Sequence, residues 1–339
     1  MNMPASNASL AAATPFISDA NVAALATWPK VVAALAEAYA KPIKPEMVPP
    51  RTMARGDGFW LRALCAVSPS GEYMGCKLIA ASPKIKRASY LIALFDQNTM
   101  QLAGLIDGNR ITDLRTAATA VVAVQATAKP GALRVGVIGS SSLARNTLEA
   151  LAAVREVAAV RVFSPSPQNR QRFADDFAAS HGFDITAADS AREAVRGADV
   201  VLCAARSKDE SPVFLGDWLE PGMVVVSVGS TLPEQRELDV EAMRRATLIV
   251  ADMAHEIVHD TGDAIVAIRE GVDVAAKTVE LAEVMSGVHP GRVTTEDVVI
   301  YKSVGTALQD VVTAEMLFRE AISTHRYSTL PEGVVTITR

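Results

Sequence analysis

The segment LRVGVIGSSSLARNTLEAL, residues 133–151, constrains the fold more than any other stretch of the chain. An apolar strand runs into a Gly/Ser turn and directly on into a helix, so the first helical N–H groups and the positive end of the helix dipole meet at the strand's end. This is the local geometry of a dinucleotide-binding turn, provided that more strands follow. VAAVRVFS, ADVVLCAA, GMVVVSVG and TLIVADM do follow, separated by helical stretches such as PQNRQRFADDFAAS. Their apolar runs are continuous rather than alternating, which marks strands buried on both faces, as in a parallel sheet between two helix layers. Residues 131–301 therefore read as a doubly wound, Rossmann-like α/β domain.

The preceding residues have another pattern. SDANVAALA and PKVVAALAEAYA show helical periodicity, with Ser18 placed to cap the first and Pro29 in the first turn of the second. From Phe59 the runs FWLRALCAV, YMGCKLIAA, SYLIALFD and MQLAGLID are separated by turn residues, which predicts a mostly antiparallel sheet joined by hairpins. A helix from about Thr112 to Ala128 ends at Lys129-Pro130-Gly131, the expected domain boundary. The last helix, from near Lys302, is expected to return and cover that first sheet. The organisation is thus 16–130 with 302–339, then 131–301, with residues 1–15, rich in Ala, Ser and Asn, as a loose tail.

Composition excludes several classes. With 33 basic and 38 acidic residues, a net charge of −5 and no block of like charge, neither a nucleic-acid partner nor a membrane-surface partner is expected. No apolar run reaches the ~18–20 residues of a membrane span. The three cysteines, Cys65, Cys76 and Cys203, lack CxxC spacing and leave an odd count, as in a reducing, cytoplasmic compartment.

In the nucleotide turn Gly139 holds the first glycine position, Ser141 the second and Ala144 the third; a serine at the second position can add a hydroxyl donor to the pyrophosphate. The second strand ends at Phe163-Ser164, where an NAD-binding fold usually carries an acid for the ribose 2′-hydroxyl. Here Ser164, Ser166 and Arg170 offer hydroxyls and a guanidinium suited to a 2′-phosphate, which favours NADP(H), with NAD(H) possible. An ordinary loop capping the next helix is the competing reading.

Lys77, amid the apolar residues of GCKLIAA, is either a desolvated, reactive lysine or an ordinary strand lysine facing water. Arg115, near the start of a helix in ITDLRTAATAVVA, either awaits an anion or pairs with Asp113. HEIVH, residues 255–259, matches a zinc-hydrolase pattern, yet it follows a short strand ending at Asp252 rather than sitting in a long amphipathic helix, so no metal is expected.

Several segments together resemble the ornithine cyclodeaminase/mu-crystallin family: GCKLIAASP, DGNRITDLRTAATA, the nucleotide turn, SPVFLGDWLEPGMVVVSVGSTLPEQRELD and EVMSGVHPGRVTTEDVVIYKSVGTALQD, spanning about residues 15–330 in order. The resemblance implies a homodimer, with an α+β substrate-binding and dimerisation domain built from both chain ends. It implies a carboxylate-bearing amino or imino acid held by Arg51, Lys77 and Arg115. It also implies Ser142 and Leu143 at the pyrophosphate, Ser164 at the adenosine ribose, and Val228, Gly229, Ser230 and Thr231 beside the nicotinamide half. Ser303 and Val304 would stand at the active-site mouth, with Ser89 as a further cofactor contact. Cyclodeaminases of the family carry an aspartate at the position of Thr231, and a threonine cannot serve as a base at neutral pH. The expected activity is NAD(P)-dependent reduction of an imino acid or oxidation of an amino acid, with Lys77 and Thr231 at the reacting centre. Ornithine cyclodeamination, a non-catalytic binding role as in lens crystallins, and zinc hydrolysis are the alternatives.

Overall fold

The computed structural model describes residues 13–207, 209–331, 334 and 336. Most of the expected N-terminal tail lies outside these residues, and Pro15 already belongs to a strand. By contacts the chain forms two compact units, residues 1–27, 43–112 and 307–339 in one and residues 28–42 and 113–306 in the other.

In the first unit the strands are β1 (Pro15–Ile17), β2 (Thr52–Gly56), β3 (Phe59–Val67), β4 (Tyr73–Ser82), β5 (Arg87–Asp96) and β6 (Leu102–Asp107), completed by β15 (Ser328–Thr329) near the C-terminus. They lie in the order β15-β1-β6-β5-β4-β3-β2, antiparallel from β2 to β6 as the hairpin pattern predicts. Register decides the two faces. Leu64, Lys77 and Ile92 are mutual cross-strand neighbours and share one face with Gly75 and Leu94. Helix α11 (Ala307–Thr324) packs on β3, β4 and β5 and covers that face. A Cβ on Gly75 would meet Ala93 O at 2.6 Å and Val311 at 3.3 Å, so glycine there permits the helix to approach. The other face carries Leu61, Ala63, Cys65, Cys76, Leu78, Leu91 and Ala93, partly or fully exposed.

The helices α1 (Asp19–Leu25), α2 (Trp28–Tyr39) and α3 (Asn109–Thr127) match the periodicity, and Ser18 accepts from Asn21 N at 3.3 Å as the cap of α1. The unit boundary falls inside α3, at Thr112/Asp113, rather than at the Pro-Gly break. The segment after α3 is anchored within the second unit instead: Arg155 donates to Lys129 O at 2.8 Å and to Gly131 O at 3.2 Å, and Arg292 donates to Thr127 O and Gly222 O. Helix α2 also belongs to this unit, with Trp28 donating to Glu149.

The second unit holds an all-parallel sheet. Its strands are β7 (Leu133–Ile138), β8 (Val157–Phe163), β9 (Asp184–Ala187), β10 (Val200–Cys203), β11 (Val224–Ser227), β12 (Leu248–Ala251), β13 (Thr278–Glu280) and β14 (Val299–Lys302). The helices are α4 (Ser142–Ala152), α5 (Pro167–His181), α6 (Ala191–Val195), α7 (Val240–Arg245), α8 (Ala254–Asp260), α9 (Gly262–Arg269) and α10 (Leu281–Met285). The order is β13-β12-β14-β11-β10-β7-β8-β9, a Rossmann-like arrangement. β14, just before the return helix, slots between β11 and β12, so its last residues stand at the carboxyl edge of the sheet beside the loop after β11. Ligands of open α/β sheets bind outside that edge.

Candidate active site

Lys77 is not a solvent-facing strand lysine. It and Asp310 are each 1% exposed, their Nζ–Oδ1 distance is 2.8 Å, and Nζ also donates to Thr112 Oγ1 at 2.7 Å. The Tyr90 ring lies 5.4 Å from the ammonium. Sequence reading missed Asp310 because it comes from α11, far along the chain, and an acid inside an apolar helix carries no marker of its partner. Thr112 lies one helical turn before Arg115 on α3. Ser89, by contrast, pairs with Ala80 on the opposite face of the sheet, so the structure does not bring it to Lys77. The residue of that strand segment which shares the face of Lys77 is Tyr90. Arg51 sits in the segment just ahead of β2.

The nucleotide turn has the form that a pyrophosphate requires. Gly139 adopts φ +111°, and a Cβ there would meet Ala204 O at 2.7 Å, so a side chain is excluded on both counts. Ser142 and Leu143 open helix α4, their N–H groups among those without intrahelical partners. The hydroxyl of Ser141 is not an added ligand donor as expected. It donates to Ala204 O at 3.1 Å and accepts from Ala144 N at 3.3 Å, which makes it the cap that shapes the turn. At the end of β8, Ser164 is buried and Ser166 caps α5. Arg170 stacks on Phe163, donates to Ser164 O at 3.1 Å and reaches the exposed Asp189 at 3.3 Å. The loop thus caps α5 through Ser166 and also holds the Arg170 guanidinium beside Ser164. Beside it a cleft is lined by Ser140, Arg145, Asn169, Arg172 and Asp176. The turn, with its free helix N–H groups, fits the pyrophosphate of a dinucleotide.

A second cluster lies at the carboxyl ends of β12 and β14. Buried Asp252 accepts from Ser303 Oγ at 2.6 Å, Val304 N at 3.0 Å and Gly305 N at 2.9 Å. The hydroxyl of Ser303 and the N–H of Val304 are thus held by protein, and Val304 packs with Ala251 and Ile257. Gly305, at φ +77°, lies against the guanidinium of Arg115, which any side chain at 305 would displace. Nearby, burial pushes the Glu280 carboxyl up to about 7, and the charge of Asp252 adds to the rise, although Glu280 accepts from Ala254 N at 2.8 Å. Neither Asp252 nor Glu280 stood out in the sequence. At the end of β11, Val228 is buried and Thr231 donates its N–H to Gln235 Oε1 at 3.2 Å, while Glu234 points into solvent.

The HEIVH segment forms the short helix α8, with the His255 and His259 rings 4.6 Å apart. No group of three or more metal-capable side chains exists among the described residues.

The ornithine cyclodeaminase/mu-crystallin family model matches residues 18–325. The chain is 30% identical over 298 residues to ketimine reductase mu-crystallin of Mus musculus, covering 86% of this chain and 90% of that protein. Among solved structures it is similar to Thermococcus litoralis Δ1-pyrroline-2-carboxylate reductase in complex with NADH and L-proline, with a TM-score of 0.83 and 26% identity over 94% of this chain and 100% of that one. A probable ornithine cyclodeaminase from Bordetella pertussis gives a TM-score of 0.83 and 29% identity, covering 93% and 99%. The match takes in most of both compact units, and this protein belongs to the ornithine cyclodeaminase/mu-crystallin family.

Proposed function

We propose that this protein is an NAD(P)H-dependent reductase of a small cyclic or acyclic imino acid, acting on the C–N bond and giving an L-amino acid, or running in the oxidative direction. The observation that carries the reading is Lys77, a dry cation held between Asp310 and Thr112. In a low-dielectric site such a cation attracts a carboxylate strongly and can donate a proton to the imine nitrogen as the carbon receives hydride. Arg51 and Arg115 complete the carboxylate clamp. The dinucleotide, when bound, supplies the hydride; the chain's part is alignment and charge. Gly139, Ser142 and Leu143 receive the pyrophosphate in a turn that Ser141 shapes, and Val228–Thr231 with Ser303 border the nicotinamide half. The names of the mouse and Thermococcus relatives, both imine reductases, support this substrate class.

NADP(H) is the preferred cofactor in this proposal, supported by Ser164, Ser166 and Arg170 in place of an acid after Phe163. A homodimer is supported by the open sheet face, where Phe59 is 60% and Leu61 48% exposed. A cytoplasmic location is supported by three free cysteines. No helix among the described residues is long and apolar enough to cross a membrane.

Likeness to the Bordetella protein favours a second reading, ornithine cyclodeamination. Against it stands Thr231, whose hydroxyl cannot take a proton at neutral pH. The test is NADPH and NADH oxidation with cyclic imines, pyruvate or glyoxylate plus methylamine, alongside ammonia release from L-ornithine with catalytic NAD⁺. Reductase activity without ammonia release is expected. Stoichiometric proline and ammonia would refute the reductase reading, and their loss in Glu234→Gln would identify the substitute acid.

A further inference from the structure

Beneath the loop Val228–Thr231 lies a set of fully buried charges for which the proposed reaction has no direct use. Lys302, at the end of β14, is 0% exposed, as is Asp263 of α9, and their Nζ–Oδ2 distance is 2.8 Å. The same ammonium donates to Ser227 Oγ at 2.9 Å, Ser230 O at 2.8 Å and Ser230 Oγ at 2.8 Å. Ser230 Oγ donates in turn to Asp263 at 2.9 Å. Glu237, also fully buried, accepts from Ser227 Oγ at 2.7 Å, Gly229 N at 2.9 Å and Ala205 N at 3.0 Å. Asp263 closes the circuit by accepting from the N–H groups of Glu237 and Leu238 at 2.8 and 2.9 Å. Gly229 passes so near the Glu237 carboxylate and Ala205 O that no Cβ fits there.

Stability alone does not account for such an arrangement. Desolvating charges is costly, and a buried pair is often no better than a hydrophobic one of equal volume. What the network does achieve is geometric: Glu237, Asp263 and Lys302 hold Gly229 and Ser230 of the loop after β11. We propose that Lys302 and Glu237 are positioning residues that lock the Gly229–Ser230–Thr231 segment in the shape that receives the nicotinamide half of the cofactor. This rests on the functional reading above for the placement of that loop.

The lock is pH-sensitive. Burial pushes the Glu237 carboxyl up to about 7, against the pull of Lys302, Ser227 and Gly229, with Asp263 adding to the rise. The ionisable groups facing it are Lys302 from β14, Asp263 from α9 and Cys203 from β10, whose own thiol is raised by burial. With three donors aimed at it, Glu237 suits the lock as a carboxylate. Protonation below about pH 7 removes the negative charge that strengthens these three hydrogen bonds and balances Lys302.

Glu237→Gln tests this with little change in volume. Its single carbonyl oxygen cannot accept from both Ala205 N and Gly229 N, so one N–H confronts the amide NH₂. The expected result is a kcat reduced on the order of 100-fold, the scale of an ångström-sized misplacement, with loss of the acid limb expected for wild type near pH 7. Binding should split as well: NADPH and NADH weaken, while ADP-ribose, which lacks the nicotinamide, binds as in wild type. Lys302→Met should behave alike, and if it fails to fold, Glu237→Gln and Ser230→Ala still decide. A Glu237→Gln protein with wild-type kcat, dinucleotide affinity and acid limb would overturn the proposal, as would an equal loss of ADP-ribose affinity. If the wild type reduces no imine, the functional reading fails separately, and the split between dinucleotide and ADP-ribose binding still judges the lock.

Discussion

Lys77→Met removes the cation while keeping most of the aliphatic volume, and so isolates the charge. In the folded protein it takes from the Asp310 carboxylate of α11, 1% exposed, the ammonium that balances its charge at 2.8 Å. Breaking a buried pair by deleting one partner typically costs about 3–5 kcal/mol, because the remaining charge stays desolvated. That is a large part of the roughly 5–15 kcal/mol by which a domain is stable. Replacing both residues, as in Lys77→Met with Asp310→Leu, removes the charge together with its counter-charge and should return to within about 1 kcal/mol of wild type. The coupling in a double-mutant cycle is then about 3 kcal/mol or more, far above the ~0.5 kcal/mol limit of additivity for independent sites. The assay is urea denaturation followed by circular dichroism for the four proteins, with the folded fraction checked before any kinetics. Every variant lacking Lys77 should lose at least 100-fold in kcat/KM, including the stable double variant, which separates catalysis from folding. Single variants within 1 kcal/mol of wild type, or effects that simply add, would refute the burial argument. Retained turnover in the double variant would refute the role of Lys77.

Two other tests follow from the loop after Phe163 and from the buried acids. NADPH should bind at least tenfold tighter than NADH, about 1.4 kcal/mol, and Arg170→Ala should weaken NADPH selectively; equal Kd values for the two in the unmodified protein would sink the preference. Glu237 and Glu280 are both raised to about 7 from 4.5. The folded state therefore holds extra protons between those values, and folding stability should fall as pH rises from about 4.5 to 7 and level off above it. Urea midpoints at pH 5, 6, 7 and 8 measure this, and Glu237→Gln should flatten part of the slope; midpoints that rise across the interval would contradict it.

The sequence by itself determined the local pieces. Apolar strands, the Gly139 turn, the cap at Ser18 and the hairpin sheet were legible because each depends on residues within one turn or one strand, whereas the capping role of Ser141 showed only in the fold. Strands β1, β2, β9, β13, β14 and β15 escaped: segments such as Thr52–Gly56 bury too few side chains to leave a pattern, and Val299–Lys302, though buried, is only four residues long and ends where the last helix was expected to begin, the helix starting at Ala307 instead. Tertiary structure alone decided the place of β14, because a strand apolar on both faces fits any interior slot of a parallel sheet. It alone decided which face of β4 is dry, and hence that Lys77 is buried, because that depends on a helix more than two hundred residues onward supplying Asp310. Arg115 against Gly305 and Lys302 under Ser230 are likewise meetings of distant segments. A side chain's type fixes what chemistry it can offer. Burial and partners, which arise only when the chain closes on itself, fix whether that chemistry is directed at a ligand or at the protein's own backbone.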